Sequence, residues 1–373
     1  MLTEISMTKS GRLCRCASRS SAANSNAMPC SASPRRLRLY ALLGGLLAVT
    51  GCSPRYEREV IVYAALDAEF SRPILEQFER DSKIVTLTKF DVESTKTVGL
   101  TQAIIAEAKQ PRCDVFWNNE ILNTLRLEER GLLEVYRPQA AEDYPEMFRS
   151  PTRTWHGFAG RARVLLINTE LVAESDRPAS IYDLANEKWH GRCGLAKPLF
   201  GTTATHVACL FARLGDEAAK RLLLDMKANG VQVFAGNKQV AQAVASGNIA
   251  VGLTDTDDAI IEIETGRPVA IIYPDQQSGG LGTLFIPNTL AIIKGSPNQA
   301  EARKLIDYLL TPEIEIALSR GASAQIPLHT KLDVPLRVET PRTIKPMQID
   351  FAAAARKWDA AARFVRDEFA RAN

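Results

Sequence analysis

After residue 58, the apolar positions of the chain alternate between short strand-like runs and helical spacing. Apolar runs at 59–66, 84–90 and 113–117 predict strands. Apolar positions three and four residues apart predict helices between and after them, at 70–80, 98–108 and 121–130. Strands and helices that take turns are typical of an α/β fold with a mostly parallel sheet covered on both faces.

The same alternation continues in the second half of the chain, where we predict strands at 161–168, 194–196, 231–234, 250–253 and 283–293. Helices are predicted at 207–214, 218–229, 239–246, 258–265, 300–310 and 352–370. The part of the chain that follows Cys52, about 320 residues, exceeds the usual size of a single hydrophobic core and therefore predicts two lobes. We expect lobe 1 to comprise residues 58–159 and 285–373, and lobe 2 to comprise residues 160–284.

Residues 1–51 have the pattern of an export signal. Three arginines (Arg35, Arg36, Arg38) precede an apolar run at 39–50, which is shorter than the roughly 20 residues a membrane span needs. Residues 47–52 resemble a bacterial lipoprotein box, which implies lipidation of Cys52 and a tether at 52–57. Ordinary secretion with Cys52 as a spare thiol is the alternative. Translation from Met28 would give a compact leader.

Charge and cysteine content exclude several classes of function. The net charge of +3 comes from the arginine-rich leader, and the remainder of the chain is slightly acidic, with no basic stripe for nucleic acid. Cys113, Cys193 and Cys209 are too few for a disulfide framework, and we expect buried free thiols over a Cys193–Cys209 bridge. No CxxC, HExxH or GxSxG motif indicates a zinc site or a hydrolase.

Short polar side chains follow the first three predicted strands. They are Asp67 after the first strand, Ser94 and Thr95 after the second, and Asn119 and Glu120 after the third. In open α/β sheets, ligands bind outside the carboxyl ends of the strands. We therefore expect these five residues to line a ligand cleft.

Several segments in fixed order resemble the type II periplasmic binding proteins of ABC importers, and more narrowly their ferric-ion-binding group. They are Val62-Tyr63-Ala64-Ala65, Cys113-Asp114-Val115-Phe116-Trp117, Gly160-Arg161-Ala162-Arg163-Val164, Trp189-His190-Gly191-Arg192, Gly201-Thr202-Thr203, residues 245–252 and Ile286-Pro287-Asn288-Thr289. The resemblance implies a two-lobed fold with a central cleft and hinge. It also implies a monomer at the extracytoplasmic face of a membrane, with an ABC permease and ATPase as partners and no enzymatic activity.

The ligand expected from the resemblance depends on one departure from the ferric-binding pattern. Relatives that bind iron carry two adjacent tyrosines where this chain has Asp257 and Asp258, with Asp255 just before them. Carboxylates also bind hard cations, so Asp257 and Asp258 are candidate ligands of a transported ferric ion. They equally suit the ammonium group of an organic ligand, and simple capping of the helix at 258–265 is the third interpretation.

A second group of residues favours an anion. Thr202, Thr203 and His206 precede the helix predicted at 207–214, and helix N-termini bind phosphate, carboxylate or carbonate. Arg161 would add a guanidinium fork. This fits iron with a synergistic anion, and it also fits a phosphorylated organic or aminophosphonate ligand; ordinary capping by the threonines is the alternative.

The predicted function is therefore capture of a small ligand between two lobes for import, without a resident cofactor. A metal-dependent hydrolase built from His206 and the three aspartates is the competing hypothesis. In the import hypothesis, the strands near 161–168 and 281–286 cross between the lobes and form the hinge.

Overall fold

The computed structural model describes residues 58–91 and 97–369, and its elements follow the predicted alternation. The strands are β1 Glu59–Ala64, β2 Val85–Phe90, β3 Val115–Asn118, β4 His156–Asn168, β5 Cys193–Ala196, β6 Gln232–Phe234, β7 Val251–Asp255, β8 Val269–Ile272 and β9 Phe285–Ile292. The α-helices are α1 Ala68–Ser82, α2 Val98–Ala106, α3 Leu122–Glu129, α4 Gly201–Leu214, α5 Asp216–Ala228, α6 Asn237–Ala245, α7 Thr256–Glu264, α8 Gln299–Leu309, α9 Pro312–Arg320 and α10 Phe351–Phe364.

The sheet is mixed, which corrects the expectation of a mostly parallel one. Its strand order is β2-β1-β3-β9-β4-β7-β5-β6, with β8 beside β4. Pairing is parallel within β1, β2 and β3 and within β5, β6 and β7, but β9 and β4 pair antiparallel to each other and to their other neighbours. Sequence periodicity reveals a strand but not its direction, so the long returning strands could not be recognised as antiparallel.

Strand β4 joins the two halves of the sheet. Its residues 156–162 pair with β9, and its residues 163–168 pair with β7 and β8. Alternate side chains enter different cores, with Leu165 and Ile167 on one face and Val164 and Leu166 on the other. Both faces are thus covered, which explains why all 13 residues of this strand are buried. The fold is the two-lobed α/β arrangement predicted from the sequence.

Close packing of α6 on β7 positions the first turn of α6 in space. A Cβ atom added at Gly252 in β7 would lie 2.5 Å from Cγ1 of Val240 in α6. The helix therefore approaches the strand as closely as a glycine permits, and its first turn comes to lie beside the end of β7.

Several helix boundaries and two elements differ from the sequence prediction. Helices α1, α5 and α6 each begin two residues earlier than predicted. Helix α4 begins at Gly201, six residues earlier than predicted, because the threonines of its first turns are buried by tertiary packing that overrides their low helix propensity. Helix α7 begins at Thr256, two residues early. Strand β8 and helix α9 were not predicted, although Thr311 before Pro312 is a regular helix-start signal.

Several sequence predictions lie outside the described residues, namely the export signal at 1–51, the start at Met28, the lipidated Cys52 with its tether at 52–57, and the site residues Ser94 and Thr95. Cys113, Cys193 and Cys209 are buried free thiols in the structure. Within 58–91 and 97–369, the helices are too short or too polar to cross a bilayer.

Candidate functional site

A cavity of about 360 Å³ lies where four helices begin. Residues 67–69 at the start of α1, 200–203 at the start of α4, 235–239 at the start of α6, and Asp255, Asp257 and Asp258 at the start of α7 all line it. Asn119, Arg161 and Lys197 complete much of the wall. This volume suits a small organic ligand.

The N-cap residues of these four helices do not cap them with their own side chains. The N-cap residues Asp67, Phe200, Gly236 and Asp255 make no side-chain cap hydrogen bond. Helix N-termini carry roughly half a positive charge each and present N–H groups, so an anion is favoured there.

The four N-termini differ in their first-turn charges. Helices α4 and α6 have no acidic residue in the first turn. By contrast, α1 carries Glu69, and α7 carries Asp257 and Asp258. The cavity is therefore polarised, with an anion-attracting side formed by α4 and α6 and an acidic side formed by α1 and α7.

The Asp255 carboxylate is engaged in a buried network beneath the cavity. Oδ1 lies 2.6 Å from Nη1 of Arg163, while Oδ2 accepts hydrogen bonds from Thr202 and from Asn237, the latter at 2.9 Å. Asp255 makes no cap bond to α7. Simple capping therefore does not account for this residue; it ties β4, α4 and α6 together at the cavity floor.

Asn237 uses both ends of its amide in that network. Its Nδ2 donates to Thr202 and Asp255, and its Oδ1 accepts from Arg163 at 3.0 Å and from Thr203 at 3.1 Å. Because these partners lie on α4, β4 and β7, Asn237 fixes the start of α6 against three neighbouring elements.

Arg161 also lines the cavity and is 2 % exposed. Its Nε lies 3.2 Å from Oδ2 of Asp257, its Nη1 donates to the carbonyl of Asn119 at 3.1 Å, and its Nη2 donates to Oδ1 of Asn288 at 3.3 Å. The guanidinium is thus anchored to strand β9 and to the residue after β3, and it offsets one charge of the acidic side.

Two further features belong to the cavity lining. The Asn119 side chain is buried, and its Oδ1 has no hydrogen-bond partner in the described part of the chain. Lys238 of α6 and Glu69 of α1 form an ion pair of 3.5 Å, with each side chain about half exposed. This pair links helices that follow different halves of the sheet.

Asp255, Asp257 and Asp258 also form a cluster in which one oxygen from each lies within 4.8 Å of the others. That spacing is compatible with a metal ion. However, Arg163 and Arg161 are already ion-paired with Asp255 and Asp257. A cation there would compete with two buried guanidinium groups, which weakens the cluster as a metal site.

Glu120 and His206 lie outside the cavity lining, contrary to the sequence expectation. Glu120 is fully buried and accepts hydrogen bonds from the backbone N–H groups of Leu122 and Asn123 and from the Thr205 hydroxyl. It therefore anchors the start of α3. His206 points into an apolar interior; burial, with the Arg163 charge second, lowers its pKa to about 3. We leave both residues out of the candidate site.

The other predicted residues within the described part of the chain come together around the cavity. They are Asp67, Asn119, Arg161, Thr202, Thr203, Asp255, Asp257 and Asp258. Sequence reasoning missed Glu69, Lys197, Asn237 and Lys238. Lys197 directly follows β5, so the rule of polar residues at strand ends would have found it. The others carry no comparable signal.

The chain is similar in sequence to bacterial proteins that bind solutes outside the cell. A family described as "Bacterial extracellular solute-binding protein" matches residues 123–355. The major ferric iron-binding protein of Neisseria meningitidis is 25% identical over 331 residues, which cover 85% of this chain and 94% of the relative.

Solved structures show the same fold. Iron-bound HitA from Pseudomonas aeruginosa has a TM-score of 0.74 at 24% identity, covering 83% of this chain and 99% of that one. The periplasmic binding protein AfuA from Actinobacillus pleuropneumoniae, with fructose-6-phosphate bound, also has a TM-score of 0.74 at 21% identity, covering 85% and 100%. The predicted resemblance to type II periplasmic binding proteins of the ferric-binding group is confirmed.

Proposed function

The chain belongs to the bacterial extracellular solute-binding proteins, and from that premise we propose that it captures a small phosphorylated organic ligand for an ABC importer. The observation that carries the ligand class is the convergence of four helix N-termini on one cavity. The ligand is bound and released unchanged, so the protein is not an enzyme.

The electrostatic balance of the cavity favours an anion. Its walls and floor hold four cationic side chains, Arg161, Arg163, Lys197 and Lys238, and five acidic ones, Asp67, Glu69, Asp255, Asp257 and Asp258. Four helix N-termini together add roughly two positive charges. That contribution outweighs the single excess carboxylate, so the cavity as a whole attracts negative charge.

The polarity of the cavity predicts how the ligand lies in it. The oxyanion group fits the side formed by α4 and α6, where the first-turn backbone N–H groups of the two helices and the ammonium group of Lys238 supply donors. Hydroxyl or ammonium groups at the other end of the ligand fit Asp257, Asp258 and the Asn119 oxygen. A phosphorylated sugar or an aminophosphonate has both ends.

Isothermal titration calorimetry tests this ligand class directly. We expect glycerol 3-phosphate or O-phosphoethanolamine to bind, and Lys238→Ala to weaken binding about tenfold because it removes one charged donor, worth about 1.5 kcal/mol. Lys220→Ala is the matched control, since Lys220 forms a similar surface ion pair on α5 away from the cavity. Equal binding by both variants would remove Lys238 from the site.

Ferric ion with a synergistic anion is the second candidate ligand. The Asp255, Asp257 and Asp258 cluster and the iron-binding names of relatives support it. The described tyrosines do not line the cavity, and two of the three carboxylates, Asp255 and Asp257, are paired with arginines. Asp258→Asn separates the two candidates: it would abolish iron binding, whereas inorganic phosphate, which has no ammonium group to place beside Asp258, would bind at least as tightly after loss of a like charge.

We also propose that the two lobes close on the ligand. Strand β4 passes from one half of the sheet to the other after residue 162, next to the expected lobe boundary at residue 160. A ligand that contacts α1 from one half and α4, α6 and α7 from the other favours the closed state. Small-angle scattering should show a smaller radius of gyration with saturating ligand; an unchanged value would contradict closure.

Membrane attachment and import partners complete the proposal. Lipidated Cys52 would hold the protein at the extracytoplasmic face of the membrane, beside its permease and ATPase, and the protein would act as a monomer. A Cys52→Ser variant should move from the membrane fraction to the soluble periplasmic fraction. Retention of that variant in the membrane fraction would argue against the lipid anchor.

A further inference from the structure

Strand β4 contains a bulge immediately before Arg161. The register between β4 and β9 shifts between Phe158 and Gly160, and Ala159 has a φ of 37°. Residues with a Cβ atom rarely adopt this left-handed conformation. The surrounding structure must therefore hold Ala159 in place.

Two buried side chains hold this bulge from its two sides. Glu315 of α9 is fully buried, and its carboxylate accepts the backbone N–H of Ala159 at 2.6 Å. On the other side, the carbonyl of Ala159 accepts a hydrogen bond from Nδ2 of Asn288. The same Glu315 carboxylate accepts hydrogen bonds from the backbone N–H groups of Leu328 at 2.9 Å and His329 at 2.7 Å. These bonds fix the carboxylate relative to the segment that follows α9.

The bulge is connected to the cavity through Asn288. Its Oδ1 accepts from Nη2 of Arg161, and Arg161 in turn is paired with Asp257 in the cavity wall. A buried polar chain thus runs from Glu315 through Ala159 and Asn288 to Arg161. Each of these four residues is at most 2 % exposed, so water does not screen the coupling.

We propose that Glu315 is a positioning residue for Arg161, setting the placement of this cavity guanidinium through the backbone bulge at Ala159. The inference rests on the proposed function only in taking Arg161 as a residue that contacts or orients the ligand. It requires no choice between an organic phosphate and iron with an anion, because Arg161 lines the cavity in both cases.

The protonation state of Glu315 gives the proposal a distinctive signature. Burial raises the pKa of Glu315 to about 6, although three backbone N–H groups oppose the rise. A protonated carboxyl is a weaker acceptor for these N–H groups, so the bulge should loosen as the pH falls through 6. The position of the Arg161 guanidinium should change with it.

Other charged and titratable groups surround Glu315 and must be separated from it. His329 and Lys331 lie on the following segment, Asp143 and Tyr144 on the segment packed against it, and Glu313 on α9 itself. Burial lowers the pKa of His329 below its ordinary value. A His329→Gln variant therefore controls for titration of that ring.

The test is nuclear magnetic resonance of the protein labelled with ¹⁵N at arginine Nε, without ligand. The Arg161 signal is assigned by its loss in Arg161→Lys. We expect it to shift with a midpoint near pH 6 in the unaltered protein and in His329→Gln, and to stay constant in Glu315→Gln. A signal that is constant in the unaltered protein, or that shifts equally in Glu315→Gln, would overturn the proposal.

Asn288→Ala provides a second route if Glu315→Gln does not fold. It leaves Glu315 in place and cuts the link to Arg161, so the Arg161 signal should lose its pH dependence; an undiminished shift in this variant would also refute the proposal. In either variant, affinity for inorganic phosphate at pH 7.5 should fall about tenfold.

Glu128→Gln is the matched control for those affinities. Glu128 likewise organises its surroundings, by accepting bonds from Ser150, Thr152, Thr154 and Trp155, but it does not contact the chain that leads to Arg161. Its substitution should leave phosphate affinity unchanged. If no oxyanion binds the unaltered protein, the proposed ligand class fails, while the resonance experiment still decides the role of Glu315.

Discussion

At the scale of single residues, the sequence indicated many of the side chains that gather at the cavity but not what each one does. Asp255 was expected to bind a ligand or to cap α7, and the structure instead pairs it with Arg163, Thr202 and Asn237. Arg163 lies on β4, far from Asp255 along the chain. Which carboxylate meets a buried guanidinium depends on strand register, and register cannot be read from local periodicity.

Substitution of Asp255 tests how much its ion pair with Arg163 contributes to the free energy of unfolding. Arg163 is fully buried, so Asp255→Ala would leave an uncompensated charge in the interior and should lower the free energy of unfolding by about 3–5 kcal/mol. Urea denaturation measures the loss. Asp225→Ala, at an exposed position on α5, should change it by less than about 0.5 kcal/mol. A loss below 1 kcal/mol for Asp255→Ala would show that the pair contributes little.

Glu315 should give a measurable pH dependence of stability. Its folded-state pKa of about 6 lies above the ordinary value of 4.5, so the folded state binds the proton more tightly than the unfolded state. The resulting stabilisation is fully present below pH 4.5 and is lost as the pH rises through 6; it amounts to about 2 kcal/mol.

Comparison with Glu315→Gln isolates this contribution, because other titrating groups cancel in the difference. The free energy of unfolding, measured by urea between pH 4 and 7.5, should fall with rising pH more steeply in the unaltered protein than in the variant. Parallel profiles for the two proteins would mean that Glu315 does not titrate in this range.

At the scale of elements, the sequence predicted the presence of most helices but not the residues at which they begin. The start of α4 was placed six residues late, so Thr202 and Thr203 were taken as loop residues ahead of a helix and not as its first turn. The convergence of α1, α4, α6 and α7 on one cavity was beyond prediction, because it depends on how helices pack on the sheet. Strand-end polarity did predict the edge on which the cavity forms.

Helix placement is testable through the glycine beneath α6. Gly252→Ala would place a Cβ atom 2.5 Å from Val240 and must push α6 away from β7. We expect a loss of about 1–3 kcal/mol in stability and weaker phosphate binding, because the α6 N-terminus moves relative to the cavity.

Gly280→Ala is the matched control for this helix shift. A Cβ atom at Gly280 would clash with the carbonyl oxygen of Asp275, away from the cavity lining. It should lose comparable stability and keep its affinity for phosphate. Equal loss of affinity in both variants would mean that general destabilisation, and not the position of α6, governs binding.

At the scale of the whole molecule, the alternation of strands and helices predicted an α/β fold, and the chain length together with the family resemblance predicted two lobes. The mixed direction of the sheet was missed, since β4 and β9 run antiparallel where a parallel sheet was expected. The ligand class could not be fixed from the sequence alone, because the three aspartates suit a metal or an ammonium group equally. The ion pairs of Asp257 with Arg161 and of Asp255 with Arg163 weaken the case for a metal ion and shift the balance towards an oxyanion.

Native mass spectrometry of residues 53–373, exported to a periplasm and purified without denaturation, tests the central claim most directly. The polarised cavity, with helix N-termini on one side and carboxylates on the other, predicts one bound organic molecule per chain, containing phosphorus. A bound mass equal to iron, with or without a small anion and with no organic phosphate, would contradict the account.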